Sequence, residues 1–404
     1  MGMRHAVVVL LIFLGPVFMA FSVRAEGVNK VEVTVTNSVE ASLVKAFEAL
    51  RTEGLRPALT ELDLVLARNP NFRLGHMVKG DLLMAQAGSP VAFADSKLSP
   101  NTVAHLRHEA QVRLERYFDA PPVDYLPAAL LQLAPQHRHA LLVDSERSRL
   151  YVFRNVQGRP QHVVDFYISA GKKGIDKMRE GDQRTPLGIY HVTTLLPKEK
   201  LPNIDLYGPS AFPLSYPNEW DRRLGKSGSG IWIHGTPSNT YSRPPRSSDG
   251  CVVLSNDDLL TIAKYIDIGS TPVIILPRIK WVTSEQWQEE RAVFNKLIGK
   301  WKKDRESANI NFYLSHYSRK FNADGKDFKT WALYYRSKRV LKKGGIKVKI
   351  SNLSVFDYPN ESPMVMMTFD QQFKDKHKLL RTKKRQYWTF ENGVWKIIHE
   401  ATVT

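Results

Sequence analysis

The 404-residue chain contains a single cysteine, Cys251. One cysteine cannot form an internal disulfide, so its thiol is either buried and inert or kept for reaction. The chain also lacks an apolar run of the ~20 residues that a membrane-spanning helix needs. The N-terminal run, residues 6–21, is 16 residues long and contains Gly15 and Pro16. These absences argue against a disulfide-stapled module and against a polytopic membrane protein.

Residues 1–25 have the organisation of a secretory signal. Arg4 precedes the apolar run, and Val23 and Ala25 are small residues at positions −3 and −1 of a cleavage site. We therefore expect residues 1–25 to be removed and the mature protein to reach the periplasm or cell envelope. A membrane anchor is the alternative, and the shortness of the apolar run argues against it.

Acidic residues are outnumbered, since 40 Asp and Glu accompany 58 Lys and Arg, for a formal net charge of +18. Such an excess suits nucleic acid, anionic lipid or an acidic wall polymer. Most of it falls after residue 280, where 25 basic residues accompany 13 acidic ones. An exported protein meets the wall first, and no nucleic-acid recognition motif is present. We therefore expect this basic part to contact a wall-associated anionic polymer, and we expect no nucleic-acid partner.

Hydrophobic periodicity divides the chain into three regions, which makes the fold class multidomain. Residues 39–120 carry apolar residues at helical spacing, with an Asn-Pro-Asn break that indicates a tetratricopeptide-like helix pair. Short β segments between glycine- and proline-rich loops predict a mainly-β domain over residues 137–278. Helical segments followed by antiparallel strands predict an α+β domain over residues 283–404. One helix pair is too short for a free-standing solenoid, so we expect the helices to pack against the next domain.

The single cysteine lies in the most informative stretch of the sequence. Residues 231–236 read Ile-Trp-Ile-His-Gly-Thr, and residues 247–254 read Ser-Ser-Asp-Gly-Cys-Val-Val-Leu. Three fragments stand in order around them: TPLGIY at 185–190, YG at 207–208 and GSTPVI at 269–274. Together they resemble the signature of the L,D-transpeptidase catalytic domain.

A histidine that precedes a cysteine by one loop supplies a base for the thiol. A free thiol with a pKa of ~8.5 is only a few per cent thiolate at neutral pH, and a neighbouring imidazole can accept its proton. Cys251 is the candidate nucleophile and His234 the candidate base. The resemblance implies that the second ring nitrogen of His234 faces the backbone of Gly235, which fixes the tautomer. Gly250 permits close backbone approach, so the amides of Gly250 and Cys251 are the candidate oxyanion donors.

Four residues near the motif are candidate substrate contacts. Arg243 and Arg246, in the loop before the cysteine, are able to pair bidentately with a substrate carboxylate, and solvated loop arginines are the alternative. Ser248 and Tyr207 belong to the fragments that carry the resemblance. We expect all four to line the substrate site.

Two positions depart from the family pattern. Many relatives have histidine two residues before the cysteine and arginine or asparagine two residues after it, whereas this chain has Asp249 and Val253. A carboxylate facing Cys251 would raise the thiol pKa. Asp249 is therefore expected either to point elsewhere or to bind a substrate amine.

The C-terminal region ends in WTFENGVWKII, residues 388–398, and resembles a nuclear-transport-factor-like (SnoaL-like) cone. The order of helical region, L,D-transpeptidase-like centre and cone is similar to that of the cell-shape L,D-carboxypeptidases of helical bacteria. It is similar to transpeptidases as well.

The resemblance implies a cysteine enzyme that acts on peptidoglycan stem peptides. Attack between the dibasic third residue and the following D-alanine would leave a thioester on Cys251. An amine acceptor gives a transpeptidase, which we expect, and water gives an L,D-carboxypeptidase. A non-catalytic wall-binding protein is a further alternative. The sequence implies no metal and no cofactor, and it leaves the oligomeric state open.

Overall fold

The computed structural model describes residues 39–89, 98–118, 121, 124–203, 205–307, 309–323, 325–337, 347–375 and 378–403. The predicted signal, residues 1–25, lies outside these ranges. Within them, no helix combines the length and the apolar character needed to cross a bilayer.

Four helices lie in the described part of the N-terminal region. Leucine, alanine and valine side chains at spacings of three and four residues pack into one core. Gly75 lies against the Phe72 ring, and a Cβ at this position would be only 2.8 Å from a ring carbon. Glycine leaves the space that the ring occupies. The helices are α1 (Val39–Thr52), α2 (Leu55–Arg68), α3 (Arg73–Gln86) and α4 (Pro100–Phe118).

The central region is built on two sheets. The five-stranded sheet has the order β5-β4-β3-β13-β7, and the four-stranded sheet has the order β12-β10-β9-β8. The strands of the first are β3 (His139–Asp144), β4 (Arg149–Val156), β5 (Arg159–Tyr167), β7 (Gly188–His191) and β13 (Pro272–Leu276). Those of the second are β8 (Leu196–Pro197), β9 (Ser210–Pro213), β10 (Trp232–His234) and β12 (Val252–Val253).

Smaller elements complete the central region. Two-stranded pairings join its first and last segments and flank the cysteine turn. They are β1 (Leu126–Pro127) with β14 (Trp281–Val282), and β6 (Ala170–Gly171) with β11 (Arg246–Ser248). The short helices are α5 (Glu219–Arg223) and α6 (Asn256–Ile262), with single 3₁₀ turns at Lys198–Lys200 and Ala263–Tyr265.

The inner strands of the five-stranded sheet are buried on both faces, which explains the continuous apolar runs of β3 and β13. In β3, Leu141 and Val143 face the core shared with the second sheet, whereas Ala140 and Leu142 face a core shared with the C-terminal domain. Strands covered on both sides lose the alternation of apolar and polar residues that half-exposed strands have. The sheet is therefore the central layer of the molecule.

The C-terminal region is a five-stranded antiparallel sheet covered by helices. Its sheet has the order β2-β17-β18-β19-β20, and its apolar face packs on the helices. The strands are β2 (Leu130–Gln132), β17 (Val348–Asp357), β18 (Met364–Asp375), β19 (Lys378–Glu391) and β20 (Val394–Val403), with the hairpin β15 (Asn322–Ala323) and β16 (Lys326–Asp327). The helices are α7 (Ser284–Glu306), α8 (Ile310–Leu314) and α9 (Phe328–Ser337).

The central and C-terminal regions share one core. Strand β2 precedes the catalytic motifs in the chain, yet it pairs with β17 of the C-terminal sheet. Trp220 stacks on Tyr387 with ring centroids 5.5 Å apart, and Arg385 Nη1 donates to Glu219 Oε2 at 2.6 Å. A boundary near residue 280 therefore divides the two regions along the chain but not in space.

A buried ionic cluster attaches the N-terminal helices to the central sheet. Arg116 donates to both oxygens of Asp165 at 2.7 and 2.6 Å, and Arg149 Nε donates to Asp165 Oδ1 at 3.0 Å. Arg149 Nη1 also donates to Glu40 of α1 at 2.6 Å. Burial alone would raise the pKa of Asp165, but the two guanidinium groups hold it well below its ordinary value. The helices pack against the next domain, as expected.

Asp165→Asn tests this attachment. Removing the charge leaves two buried guanidinium groups without their shared anion, so we expect a loss of ~3–5 kcal/mol in the free energy of unfolding at neutral pH. A carboxyl whose folded-state pKa is lowered stabilises the protein above its unfolded-state pKa of about 4, and this contribution is lost as the pH falls below that value. Urea denaturation across this pH range should show the variant and the wild type converging in acid.

The matched control is Asp267→Asn, which breaks the pair with the exposed Arg138. An exposed pair contributes little, so this variant should unfold nearly as the wild type does. Equal stability of the two variants would contradict the assigned role of the Asp165 cluster.

Candidate active site

Parallel pairing of β10 with β12 brings the predicted histidine and cysteine onto neighbouring strands. Ile233 pairs with Val252 and His234 with Val253, and Cys251 directly precedes β12. The turn before the cysteine requires glycine, because Gly250 has a φ of +125° and a Cβ there would lie 2.7 Å from a backbone oxygen. This turn therefore determines the position of Cys251 at the start of β12.

Ser248 holds this turn from inside. Its hydroxyl donates to Cys251 O at 2.6 Å and accepts from the Gly250 amide at 3.1 Å, and the residue is buried. Two expectations are corrected by this geometry. Ser248 orders the cysteine turn rather than facing substrate, and the Gly250 amide is already engaged, which leaves the Cys251 amide as the remaining oxyanion candidate.

His234 is buried in its neutral form. Its Nδ1 lies 2.7 Å from Gly235 O. A carbonyl oxygen only accepts, so Nδ1 carries the proton and Nε2 is left as the basic nitrogen. Burial lowers the pKa of His234 to about 4, with Arg243 contributing in the same direction and the Gly235 carbonyl opposing it. The ring is therefore an uncharged base at neutral pH.

Cys251 is also neutral at rest. Burial raises the pKa of its thiol to about 11; nearby Asp249 adds to the increase, and Arg243 opposes it. Its Sγ donates to Gly230 O at 3.4 Å and shares no hydrogen bond with His234, although both residues lie in the described part of the chain. The resting site is thus a thiol and an imidazole, and the sulfhydryl must turn from Gly230 before its proton can be transferred.

Tyr207 lies beside the histidine. Its ring centroid is 5.0 Å from the His234 ring in an edge arrangement and 4.9 Å from the Trp232 ring. Its backbone oxygen accepts from the Gly235 amide at 2.9 Å. Tyr207 therefore forms one wall of the site and also supports the His-Gly backbone.

Asn256 is a residue of the site that sequence reasoning missed. Its Oδ1 accepts from the Thr236 amide at 2.9 Å, and a Cβ at either Gly208 or Gly235 would overlap this oxygen. Both motif glycines are thus explained by one side chain. In the sequence, Asn256 follows Ser255 at the start of α6, so it looks like part of an ordinary helix cap.

The two candidate arginines are in different surroundings. Arg243 is half-buried, and its charge acts on Cys251, Tyr207 and Asp249. Arg246 is exposed on β11, and it acts instead on His108 of α4, where it adds to the lowering of that histidine's pKa by burial. Arg243, and not Arg246, is therefore the candidate arginine whose charge acts on the cysteine.

Asp249 is exposed at the site and already has partners. Its Oδ1 accepts from Lys172 Nζ at 3.0 Å and from Gln183 Nε2 at 2.9 Å. Its charge nevertheless reaches Cys251, where it adds to the increase in the thiol pKa. Both hydrogen bonds engage Oδ1, so one oxygen of the carboxylate is already held by Lys172 and Gln183. A role of Asp249 toward a substrate amine stays a prediction.

A loop before β7 also contributes Lys177, whose charge acts on the cysteine and which the sequence motifs did not indicate. Asp182 holds this loop together. The Asp182 carboxylate accepts from the amides of Met178, Arg179 and Arg184 at 2.7, 3.0 and 3.1 Å. It also accepts from the buried Lys177 Nζ at 2.9 Å, and the Lys177 charge favours the cysteine thiolate. In the described parts of the chain, no three His, Cys, Asp or Glu side chains are grouped as a metal site requires.

The sequence matches two known families. Residues 138–275 match the L,D-transpeptidase catalytic domain, YkuD, and residues 293–401 match the Cds6 C-terminal NTF2-like domain. No curated protein sequence matches the chain.

Two solved structures are similar to the chain over about two thirds of its length. Bd1075 from Bdellovibrio bacteriovorus is 29% identical, with a TM-score of 0.61, and the match covers 69% of this chain and 99% of that one. The helical cell shape determining protein Pgp2 from Campylobacter jejuni is 26% identical, with a TM-score of 0.55, and the match covers 68% of this chain and 95% of that one. With the site geometry, these matches identify the central region of the chain as an L,D-transpeptidase catalytic domain and the C-terminal region as an NTF2-like domain.

Proposed function

We propose that the protein is a periplasmic L,D-carboxypeptidase, which removes the terminal D-alanine from peptidoglycan tetrapeptide stems through a thioester on Cys251. The observation that carries the choice of water over an amine is the engagement of Asp249 by Lys172 and Gln183. The half-buried Arg243, whose charge acts on the cysteine, supports a donor stem with a free carboxylate. A terminal D-alanine ends in a carboxylate, and guanidinium is the side chain that best pairs with that group. The similarity to the cell shape protein Pgp2 supports a role in cell shape.

The reaction begins with a proton transfer within the neutral pair. As Cys251 Sγ attacks the carbonyl carbon, its proton passes to His234 Nε2, and the Cys251 amide stabilises the oxyanion. Collapse breaks the C–N bond, and His234 returns the proton to the nitrogen of departing D-alanine. Water then attacks the thioester and gives a proton to His234, the C–S bond breaks, and the thiol recovers its proton as the tripeptide leaves.

The engagement of Asp249 supports water as the acceptor. The sequence favours an amine acceptor partly because Asp249 is able to hold an ammonium group. Its contacts with Lys172 and Gln183 weaken that reason and favour water. Transfer to an amine is the second candidate, because Asp249 remains exposed at the site.

Product analysis tests the proposal. We expect the mature protein to convert purified tetrapeptide muropeptides to tripeptide and D-alanine, with no amide product when a D-amino acid is added in excess. Arg243→Ala should lower kcat/KM by about 30–150-fold, since a lost charge-assisted contact costs ~2–3 kcal/mol. The measurement is liquid chromatography with mass spectrometry of the products.

Arg246→Ala is the matched control, because it removes the same charge from the same loop away from the cysteine. We expect less than a threefold effect. A cross-linked dimer or D-amino-acid adduct as main product would contradict the hydrolase, and equal losses in the two variants would contradict the clamp.

We further propose that the NTF2-like domain holds an anionic wall polymer. A cleft of about 740 Å³ lies where α5 meets this domain, and Arg222, Arg319 and Lys320 line it. Glu219 and Asp327 also line the cleft, so cations outnumber acids there. Guanidinium and ammonium groups around an open cleft concentrate polyanions in a salt-dependent way.

Co-sedimentation with purified wall sacculi tests this second proposal. Arg319→Ala with Lys320→Ala should weaken binding several-fold at low salt and flatten its salt dependence. Lys296→Ala with Lys303→Ala removes the same charge from exposed positions of α7 and should change binding less. Equal effects of the two pairs would show that only overall charge matters and would contradict the cleft.

A further inference from the structure

The loop between the catalytic strands, residues 236–246, is held by the N-terminal helices. Asn71 Nδ2 donates to Ser238 O at 3.2 Å, and the Phe72 ring meets the Tyr241 ring edge-on with centroids 5.1 Å apart. These contacts lie at the turn between α2 and α3. They attach the loop that carries Arg243 to a region that neither family match covers.

A second attachment comes from α4. Ser242 Oγ donates to Glu109 Oε1 at 2.7 Å, and Glu109 is buried. The same oxygen accepts from Arg113 Nε at 3.0 Å and from Arg113 Nη2 at 2.9 Å. Glu109 is thus held by Arg113 of its own helix, and its carboxylate also accepts the hydrogen bond from Ser242 of the active-site loop.

A third attachment reaches Arg243 itself. The Arg113 guanidinium lies 3.8 Å from the centroid of the Tyr167 ring, and Tyr167 Oη donates to Arg243 O at 2.8 Å. Arg113 Nη1 also donates to Glu40 of α1 at 3.0 Å. Two chains of contacts from the helices therefore converge on neighbouring residues, Ser242 and Arg243.

We propose that the helical N-terminal region positions the carboxylate clamp of the active site. Glu109 acts through Ser242, and Arg113 acts through Tyr167, to hold the backbone of the loop that carries Arg243. These are positioning residues, and the inference rests on the proposed function for its substrate. The helices are then part of what determines preference for a stem that ends in a free carboxylate.

Steady-state kinetics on two substrates test the inference. Ser242→Ala and Tyr167→Phe each remove one hydroxyl and little volume. We expect each to raise KM for the tetrapeptide about 3–10-fold with kcat nearly unchanged, and to leave turnover of the tetrapeptide C-terminal amide unaffected, because the amide lacks the carboxylate. Tyr216→Phe is the matched control, since its hydroxyl donates to Ser227 O at 3.0 Å, away from the loop.

A double variant separates positioning from general destabilisation. If Tyr167 acts through Arg243, Tyr167→Phe should have no further effect in the Arg243→Ala background. A Tyr167→Phe penalty that persists there, or that is equal on acid and amide, would overturn the inference while leaving the carboxypeptidase activity intact.

Amide hydrogen exchange gives a readout that does not need turnover. Ser242→Ala and Tyr167→Phe should accelerate exchange in residues 236–246, and Tyr216→Phe should not. If the wild type releases no D-alanine, the proposed function fails, and exchange alone then decides whether the helices hold the loop. Unchanged exchange in both variants would refute the positioning role.

Discussion

The active site depends on the parallel pairing of two very short strands, β10 and β12. This pairing sets His234 beside the strand that Cys251 begins, and it is supported at each end by side chains that have no chemical role of their own. Ser248 closes the cysteine turn, and Asn256 fills the space left by two glycines on the histidine side. Placing both groups inside the protein has an electrostatic consequence, because burial favours the neutral form of each.

A neutral resting pair suits the proposed carboxypeptidase, which must react only with a bound stem peptide. With a histidine pKa near 4 and a thiol pKa near 11, few molecules carry an ion pair at neutral pH. Burial lowers the fraction of thiolate that could react with unrelated electrophiles, while the charges of Arg243 and Lys177 favour the thiolate. In the proposed mechanism, substrate that turns the sulfhydryl from Gly230 toward His234 starts proton transfer, which would link binding to activation.

The N-terminal helices meet the central region at this site, and the C-terminal region packs behind it. The N-terminal helices are attached by the Asp165 cluster and reach the loop of Arg243, while the NTF2-like domain shares a core with the opposite face of the central sheet. Catalytic groups held by packed elements keep their geometry better than groups on free loops. The candidate active site therefore depends on the N-terminal helices as well as on the domain that holds its reacting groups.

Local features of the site were predictable from the sequence, and long-range ones were not. The contact between His234 and the Gly235 carbonyl involves adjacent residues, and the motif around Cys251 carries its own turn. The choice between Arg243 and Arg246 depends on how an irregular loop folds back, and the engagement of the Gly250 amide by Ser248 depends on the turn geometry. In the same way, β2 joins a sheet whose next strand lies more than two hundred residues away along the chain.

The most direct test of the account is the mass of the enzyme during turnover. Rapid acid quenching of the full-length mature protein with tetrapeptide, followed by intact-protein mass spectrometry, should reveal an adduct equal to the substrate minus D-alanine. Peptide mapping should assign this adduct to Cys251, hydroxylamine should remove it as it does a thioester, and Cys251→Ala should neither form it nor release D-alanine. Release of D-alanine by Cys251→Ala, or an adduct on another residue that forms and decays at the rate of turnover, would contradict it.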